Sequence, residues 1–276
     1  MNSSVLGAVA VSVLIMAPMI KAQAGEFSAT VGAGASVAPD YQGSDDYKLR
    51  GIPFISLAWK TDADVPKKGI VQLGLHNVTL KVPGSLEVGV GRWYRSEGVY
   101  RLNLGLAYNK GRDQDNNPAL NGMGDIDAHI LAKAGLSFQS KGPGWRYSLG
   151  FSQDLSRVTD GTTVDGELGY FRPLGKKLFV TPFATVNWAD EDHMQNYFGV
   201  SGAQARTSSN AQFEADSGIK SGGLGLKLGW KISDNLKLKN TLGYVRLTND
   251  AADSPLVKSE GSANQFHAKA VLVYGF

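Results

Sequence analysis

Beyond residue 25 the chain alternates apolar and polar side chains almost without interruption. Tyr100, Leu102, Leu104, Leu106 and Tyr108 interleave with Arg101, Asn103, Gly105, Ala107 and Asn109. Ile126, Ala128, Ile130, Ala132, Ala134, Leu136 and Phe138 interleave with Asp127, His129, Lys133, Gly135, Ser137 and Gln139. Trp145, Tyr147, Leu149 and Phe151 repeat the pattern, as do Phe266, Ala268, Ala270, Leu272, Tyr274 and Phe276. A period of two sends successive side chains to opposite faces of a strand, whereas a helix needs 3.6. No segment after residue 25 keeps a helical period long enough to assign. The fold class is therefore all-β, with one face of each strand apolar and the other made of glycine, small polar residues and scattered charge.

The pattern divides into about 12 strands: 27–37, 47–59, 69–82, 85–95, 99–110, 125–139, 145–156, 162–172, 178–189, 218–231, 235–248 and 263–276. Several exceed the ~5–6 residues of a soluble strand and match the ~9–11 of a tilted membrane strand. The 69–82 segment changes phase at His76-Asn77, which a bulge or a division into two strands explains. With the N-terminus on the inner side, odd-numbered connections face outward. The long connections, 38–46, 111–124, 190–217 and 249–262, are all odd-numbered. Most even-numbered ones are tight, such as Ser96-Glu97-Gly98, Lys141-Gly142-Pro143-Gly144, Pro173-Leu174-Gly175-Lys176 and Ser233-Asp234. Trp59, Trp93, Trp145 and Trp230 fall near inner strand ends and Trp188 near an outer one, at the headgroup levels indoles prefer. Long outer loops over short periplasmic turns predict an antiparallel transmembrane β-barrel of the outer membrane. A soluble barrel or sandwich has the same period with its apolar face turned inward, and the period does not tell in from out.

The first 24 residues read as an address. An apolar run from Val5 to Ile20 precedes Ala22-Gln23-Ala24, a small-x-small site that predicts a signal peptide over 1–24 cleaved between Ala24 and Gly25. Pro18 and Lys21 end the run too early for a spanning helix, which needs about 20 apolar residues. Residues 25–276 then form the barrel, exported through the periplasm. The 19% of charged residues lies below the roughly 25% of soluble domains. Zero cysteine excludes a disulfide scaffold, a zinc-thiolate site and a Cys nucleophile. A net charge of +3 without a basic block gives no sign of nucleic acid.

Chemical motifs are sparse. The Gly-x-Gly pairs Gly32/Gly34, Gly89/Gly91 and Gly223/Gly225 open no helix, so they are strand glycines at close contacts rather than a dinucleotide site. His76, His129, His193 and His267 are isolated, and no cofactor or metal is expected. Asp190-Glu191-Asp192-His193 reads either as a divalent-cation site or as a solvated acidic loop facing lipopolysaccharide. Asp40, Asp45 and Asp46 suit turn chemistry as well as acid–base chemistry. No Ser/His/Asp set assembles locally, and no enzyme activity is expected. Arg101, Lys133, Arg146 and Lys227 share the polar face with Asp127, Asp165 and Glu167, which predicts either a charged, solute-selecting lumen or a salt-bridged plug.

Several strings resemble one family. Pro39-Asp40-Tyr41-Gln42-Gly43-Ser44 with Arg50-Gly51-Ile52-Pro53 is similar to the opening of the MipA/OmpV family. Gly111-Arg112, Pro118 through Ile126, Tyr197 through Ser201, Asp253 through Val257 and the terminal Tyr274-Gly275-Phe276 follow in the family's order. The resemblance implies a non-enzymatic outer-membrane barrel that scaffolds murein synthesis by joining a lytic transglycosylase to a bifunctional penicillin-binding protein. It also implies contact with outer-membrane lipid and lipopolysaccharide. Members described as porin-like or as adhesins leave two alternatives open, a narrow channel and a binding surface over 190–217. Because murein enzymes are periplasmic and the loop strings lie outside, the expected contacts are the inner segments Thr61–Gly69 and Lys141–Gly144, with Lys67, Lys68 and Lys141. The outer strings would instead close the barrel top.

Overall fold

The computed structural model describes residues 25–61, 71–82 and 84–276; the segment 1–24 with Ala24, and Lys67 and Lys68, lie outside them. The first six strands are β1 (Gly25–Pro39), β2 (Tyr47–Thr61), β3 (Val71–Val82), β4 (Ser85–Tyr94), β5 (Gly98–Asn109) and β6 (His129–Ser140). The second six are β7 (Gly144–Asp154), β8 (Thr162–Leu174), β9 (Leu178–Ala189), β10 (Gly218–Lys231), β11 (Leu236–Leu247) and β12 (Asn264–Gly275). Each pairs antiparallel with its neighbour in sequence, and β1 pairs with β12 from Thr30↔Gly275 to Val37↔Ala268, which closes the barrel. Closure leaves no strand edge unpaired, the condition a sheet must meet in hydrocarbon, where no water can satisfy the backbone.

The side chains settle the direction that the period left open. Leu49 is 74% exposed and Leu224 66%, and Phe27, Leu104, Leu149, Phe151, Leu242 and Phe266 also stand on the outside. A continuous apolar exterior of this kind requires lipid rather than water around it. Aromatic rings band its inner end. Tyr100 contacts Trp93 at 5.8 Å and Phe138 at 4.8 Å between centroids, Phe138 stacks on Tyr147 at 4.9 Å, and Trp145 meets Tyr170 at 5.2 Å. These rings keep their bodies in the apolar zone and their polar atoms at headgroup level.

Local departures have local causes. The phase change in β3 is a bulge, because its register against β4 shifts between Leu73 and Asn77 while the strand continues. β6 begins at His129, not at residue 125. Ile126 keeps the alternating phase but leaves the sheet to bridge Arg112, with Arg112 N donating to Ile126 O at 2.8 Å and Ile126 N to Arg112 O at 2.7 Å. Asp127 consequently lies in an outer loop and not on the lumen wall. The expectation of no helix is also corrected. The outer connections contain α1 (Glu191–Phe198), α2 (Gln204–Thr207), α3 (Asn249–Asp253) and α4 (Pro255–Lys258). The apolar side chains of the strands face outward, so the buried hydrophobic clusters sit among these loops.

Candidate functional site

Four outer connections fold into a cap over the barrel mouth. Tyr41 from the first, Leu120 and Met123 from the loop after β5, Val200 after α1, and Leu256 of α4 form one buried cluster. Met194, Tyr197 and Phe198 of α1 form a second with Ile126, Ala251 and Val257. Polar bonds lock the loops together. The Tyr41 hydroxyl donates to Leu256 O and Glu260 O, both at 3.2 Å, and Ser254 Oγ donates to Phe198 O at 2.6 Å. Gln204 Nε2 donates to Met123 O at 2.6 Å, and Arg112 Nη1 to Tyr197 O at 3.0 Å. Gly111, at φ 74°, takes the left-handed turn that delivers Arg112 into the cap, a conformation that a β-carbon disfavours. Burial, reinforced by Asp45 and Glu260, pushes the Tyr41 hydroxyl up to about 12, so it stays a neutral donor.

The acidic clusters are consumed by this architecture. Asp40 accepts from Lys48 at 2.7 Å and from Arg50 at 2.9 Å, fastening the first loop to β2. Asp190 caps α1 by accepting from His193 N at 2.9 Å, and its other oxygen accepts from Thr162 N at 2.8 Å. Glu191 and Asp192 follow in the first turn, where the helix dipole favours negative charge. Among the described residues no three His, Asp or Glu converge as metal ligands.

Beneath the cap a cavity of about 1390 Å³ extends into the barrel. Its wall carries Lys133, Lys227, Asp165, Glu167, Asn103, Ser148 and Thr185 from the strands, and Tyr41, Arg112 and Tyr197 from the cap. Arg101 and Arg146 share the strand face of these residues but sit nearer the periplasmic end. Arg101 donates to Gln139 Oε1 at 3.0 Å, and Arg146 lies 3.8 Å over the Phe171 ring. Among the described residues, Lys227 alone of the four expected cations is ion-paired, with Glu167, while also lying 4.6 Å over Phe183. Gly225 faces that ring across β9 and β10, and a β-carbon there would run into it. Lys141 occupies the β6–β7 turn, its N donating to Glu97 O at 3.0 Å.

Three further features escaped the sequence. Lys81, Lys237 and Lys269 stand within electrostatic range of Lys239, making a second cationic wall. Their parity opposite Leu80, Leu238 and Leu272 carried that signal. Arg92 faces Arg101 across β4 and β5, beyond a register shift that hides its parity. Lys220 is buried at the bulge between Ile219 and Ser221 in β10, a position that no periodicity specifies. The strings Pro39 through Ser44, Gly111-Arg112, Pro118 through Ile126, Tyr197 through Ser201 and Asp253 through Val257 meet in the cap.

The family model described as MltA-interacting protein MipA matches residues 31–276. The outer membrane protein OmpV of Vibrio cholerae is 31% identical over 179 residues, and Omp26La of Vibrio anguillarum is 30% identical over 179. Each alignment covers 65% of this chain and 65% of the relative. The solved structure of OprB from Pseudomonas putida aligns with a TM-score of 0.47 at 12% identity, over 91% of this chain and 94% of that one. With its closed twelve-strand barrel and apolar exterior, the chain is an integral outer-membrane protein and belongs to the MipA family.

Proposed function

We propose that the barrel is a narrow, non-enzymatic conduit biased toward small anions and capped on the outside by its own loops. The observation that supports this reading is the charge of the lumen wall. Lys81 pairs with Glu87 and Lys227 with Glu167, whereas Arg101, Lys133, Arg146, Lys239 and Lys269 have no ion-pair partner among the described residues. A salt-bridged plug would balance its charges. An unbalanced cationic wall in a low-dielectric shell instead concentrates anions and repels cations. Reversal potentials in planar bilayers under a salt gradient test it. The wild type is expected to be anion-selective, and Arg101→Gln with Arg146→Gln to lower that selectivity at unchanged folding. Cation preference in the wild type, or unchanged selectivity in the double variant, overturns the reading.

The matching family's description favours a second reading, in which the inner rim holds a lytic transglycosylase and, through it, a bifunctional penicillin-binding protein. The described inner turns are short, so contact would rest on Lys141 and on the segment holding Lys67 and Lys68. Affinity capture from detergent-solubilised envelopes tests this. Enrichment of murein enzymes over an unrelated barrel, lost on replacing these lysines, is the expected result, and recovery of the folded barrel alone counts against it.

A further inference from the structure

Two cations are buried in the wall of the chamber beneath the cap, and among the described residues neither is ion-paired. Arg112 is 9% exposed and Lys220 8%, and both line the cavity. Arg112 reaches Tyr197 O through Nη1 at 3.0 Å, but its Nε has no hydrogen-bond partner among the described residues. Lys220 Nζ lies 3.1 Å from His193 Nε2, and the His193 ring stacks on Tyr197 at 4.5 Å. The imidazole carries no compensating charge, and burial, with Lys220 beside it, pulls its pKa down to about 2. The carboxylates whose fields reach the two cations are engaged elsewhere. Asp165 accepts from Asn187 Nδ2, and Asp125 accepts from Gln114 N at 2.9 Å.

Removing a charge from water is costly unless a partner of opposite sign replaces the lost hydration. Within this chamber Asp165 and Glu167 add negative charge to the wall, but among the described residues no carboxylate makes an ion pair with Arg112 or Lys220. Ser221 and Asn187 line the wall near Lys220, and Asn109 lines it where its Nδ2 donates to the Tyr197 hydroxyl at 3.3 Å. The guanidinium offers a planar fork of donors and the ammonium a point charge, a pairing suited to oxyanions.

We propose that the chamber is a binding site for a small hydrophilic anion, held through a carboxylate or phosphate group by Arg112 and Lys220. The lining reaches the half-buried Lys48 and the exposed Asp113 and Asn116, so the ligand enters between the outer loops. The site needs no conduction through the barrel. Its cations lie on the cap and at the outer bulge, whereas those of the conduit reading lie on the strand walls.

Calorimetric titration of the folded protein in detergent at low ionic strength, with succinate in one arm and inorganic phosphate in the other, tests the proposal. Saturable binding of at least one probe is expected, weakened tenfold or more by Arg112→Gln and by Lys220→Met and unchanged by Lys176→Gln on an inner turn. The responding arm identifies the headgroup class. Heat-modifiable migration on gels reports barrel folding, and if Arg112→Gln fails that check, Lys220→Met decides alone. No saturable binding in either arm, or equal affinity in wild type and Lys220→Met, overturns the site. The reversal-potential experiment reads different residues, so either idea can fail while the other stands.

Discussion

Replacing Leu256 with alanine should open the cap while leaving the barrel closed. Leu256 is fully buried against Tyr41, Leu120, Met123 and Val200, which come from three other connections, and its own carbonyl accepts the Tyr41 hydroxyl at 3.2 Å. Truncating a buried leucine costs about 2–5 kcal/mol, and the cost grows with the cavity that neighbours cannot fill. Here the neighbours are tied by hydrogen bonds to other loops, which limits collapse into the gap. At 1.4 kcal/mol per tenfold, the open population of the cap should rise roughly 30- to 4000-fold. The barrel should not respond, since its ladder bonds run strand to strand and none passes through Leu256. Hydrogen exchange in detergent, read by mass spectrometry, resolves the two parts. Amides of 39–46, 113–123, 191–205 and 255–262 should exchange faster together, with those of β5 to β9 unchanged. Faster exchange around Leu256 alone would refute a cooperative cap, and parallel loss of strand protection would refute its independence from the barrel.

Two titrations should act on the same cap. Tyr41 ionises near 10 when unfolded and at about 12 when folded, so its contribution is intact below pH 10 and falls as pH rises from 10 toward 12. Tyr41→Phe, which deletes one hydroxyl donor shared between two carbonyls and worth about 0.5–1.5 kcal/mol, should lower cap protection at neutral pH and flatten that alkaline loss in the same exchange measurement. His193 is displaced in the opposite direction, from 6.5 to about 2. As pH falls below 6.5 the open form takes up a proton that the closed form refuses, so cap stability present above 6.5 declines toward pH 2. His193→Gln keeps an acceptor for Lys220 and should remove this acid sensitivity. Persistence of the full acid loss in that variant would assign the effect to other groups.

The barrel was legible because its signal is collective. Each strand contributes a period of two, and four long loops on a single side repeat the loop asymmetry of outer-membrane barrels. Strand ends proved harder where a loop borrows the strand's phase: Ile126 continues the alternation yet belongs to the cap, because its backbone pairs with Arg112 instead of β7. The helix α1 was readable in principle. Met194, Tyr197 and Phe198 stand at i, i+3 and i+4 behind an Asp cap, but eight residues fall below the length at which periodicity persuades. Lys220 was not readable at all. A bulge breaks the parity that would assign its face, and its burial depends on α1, which belongs to the β9–β10 connection that leads into its own strand.

Stability and chemistry are thus divided differently from a soluble protein. The strands need no interior core, because lipid stabilises their outer face and closure satisfies their backbone, so the lumen wall is free to carry glycine, hydroxyls and unpaired cations. The cap has no lipid to rest on and must stabilise itself as water-soluble domains do, by buried Leu, Met, Phe and Val. That places Arg112 at the junction of the two regimes. It is held by cap packing, yet its guanidinium faces a chamber whose wall is built by the barrel. A substitution that loosens the cap therefore changes access to the chamber and the placement of one of its charges together, whereas a substitution of Arg101 or Arg146 changes the lumen field alone. Measuring ligand affinity and anion selectivity on both classes of variant assigns each function to its own set of side chains.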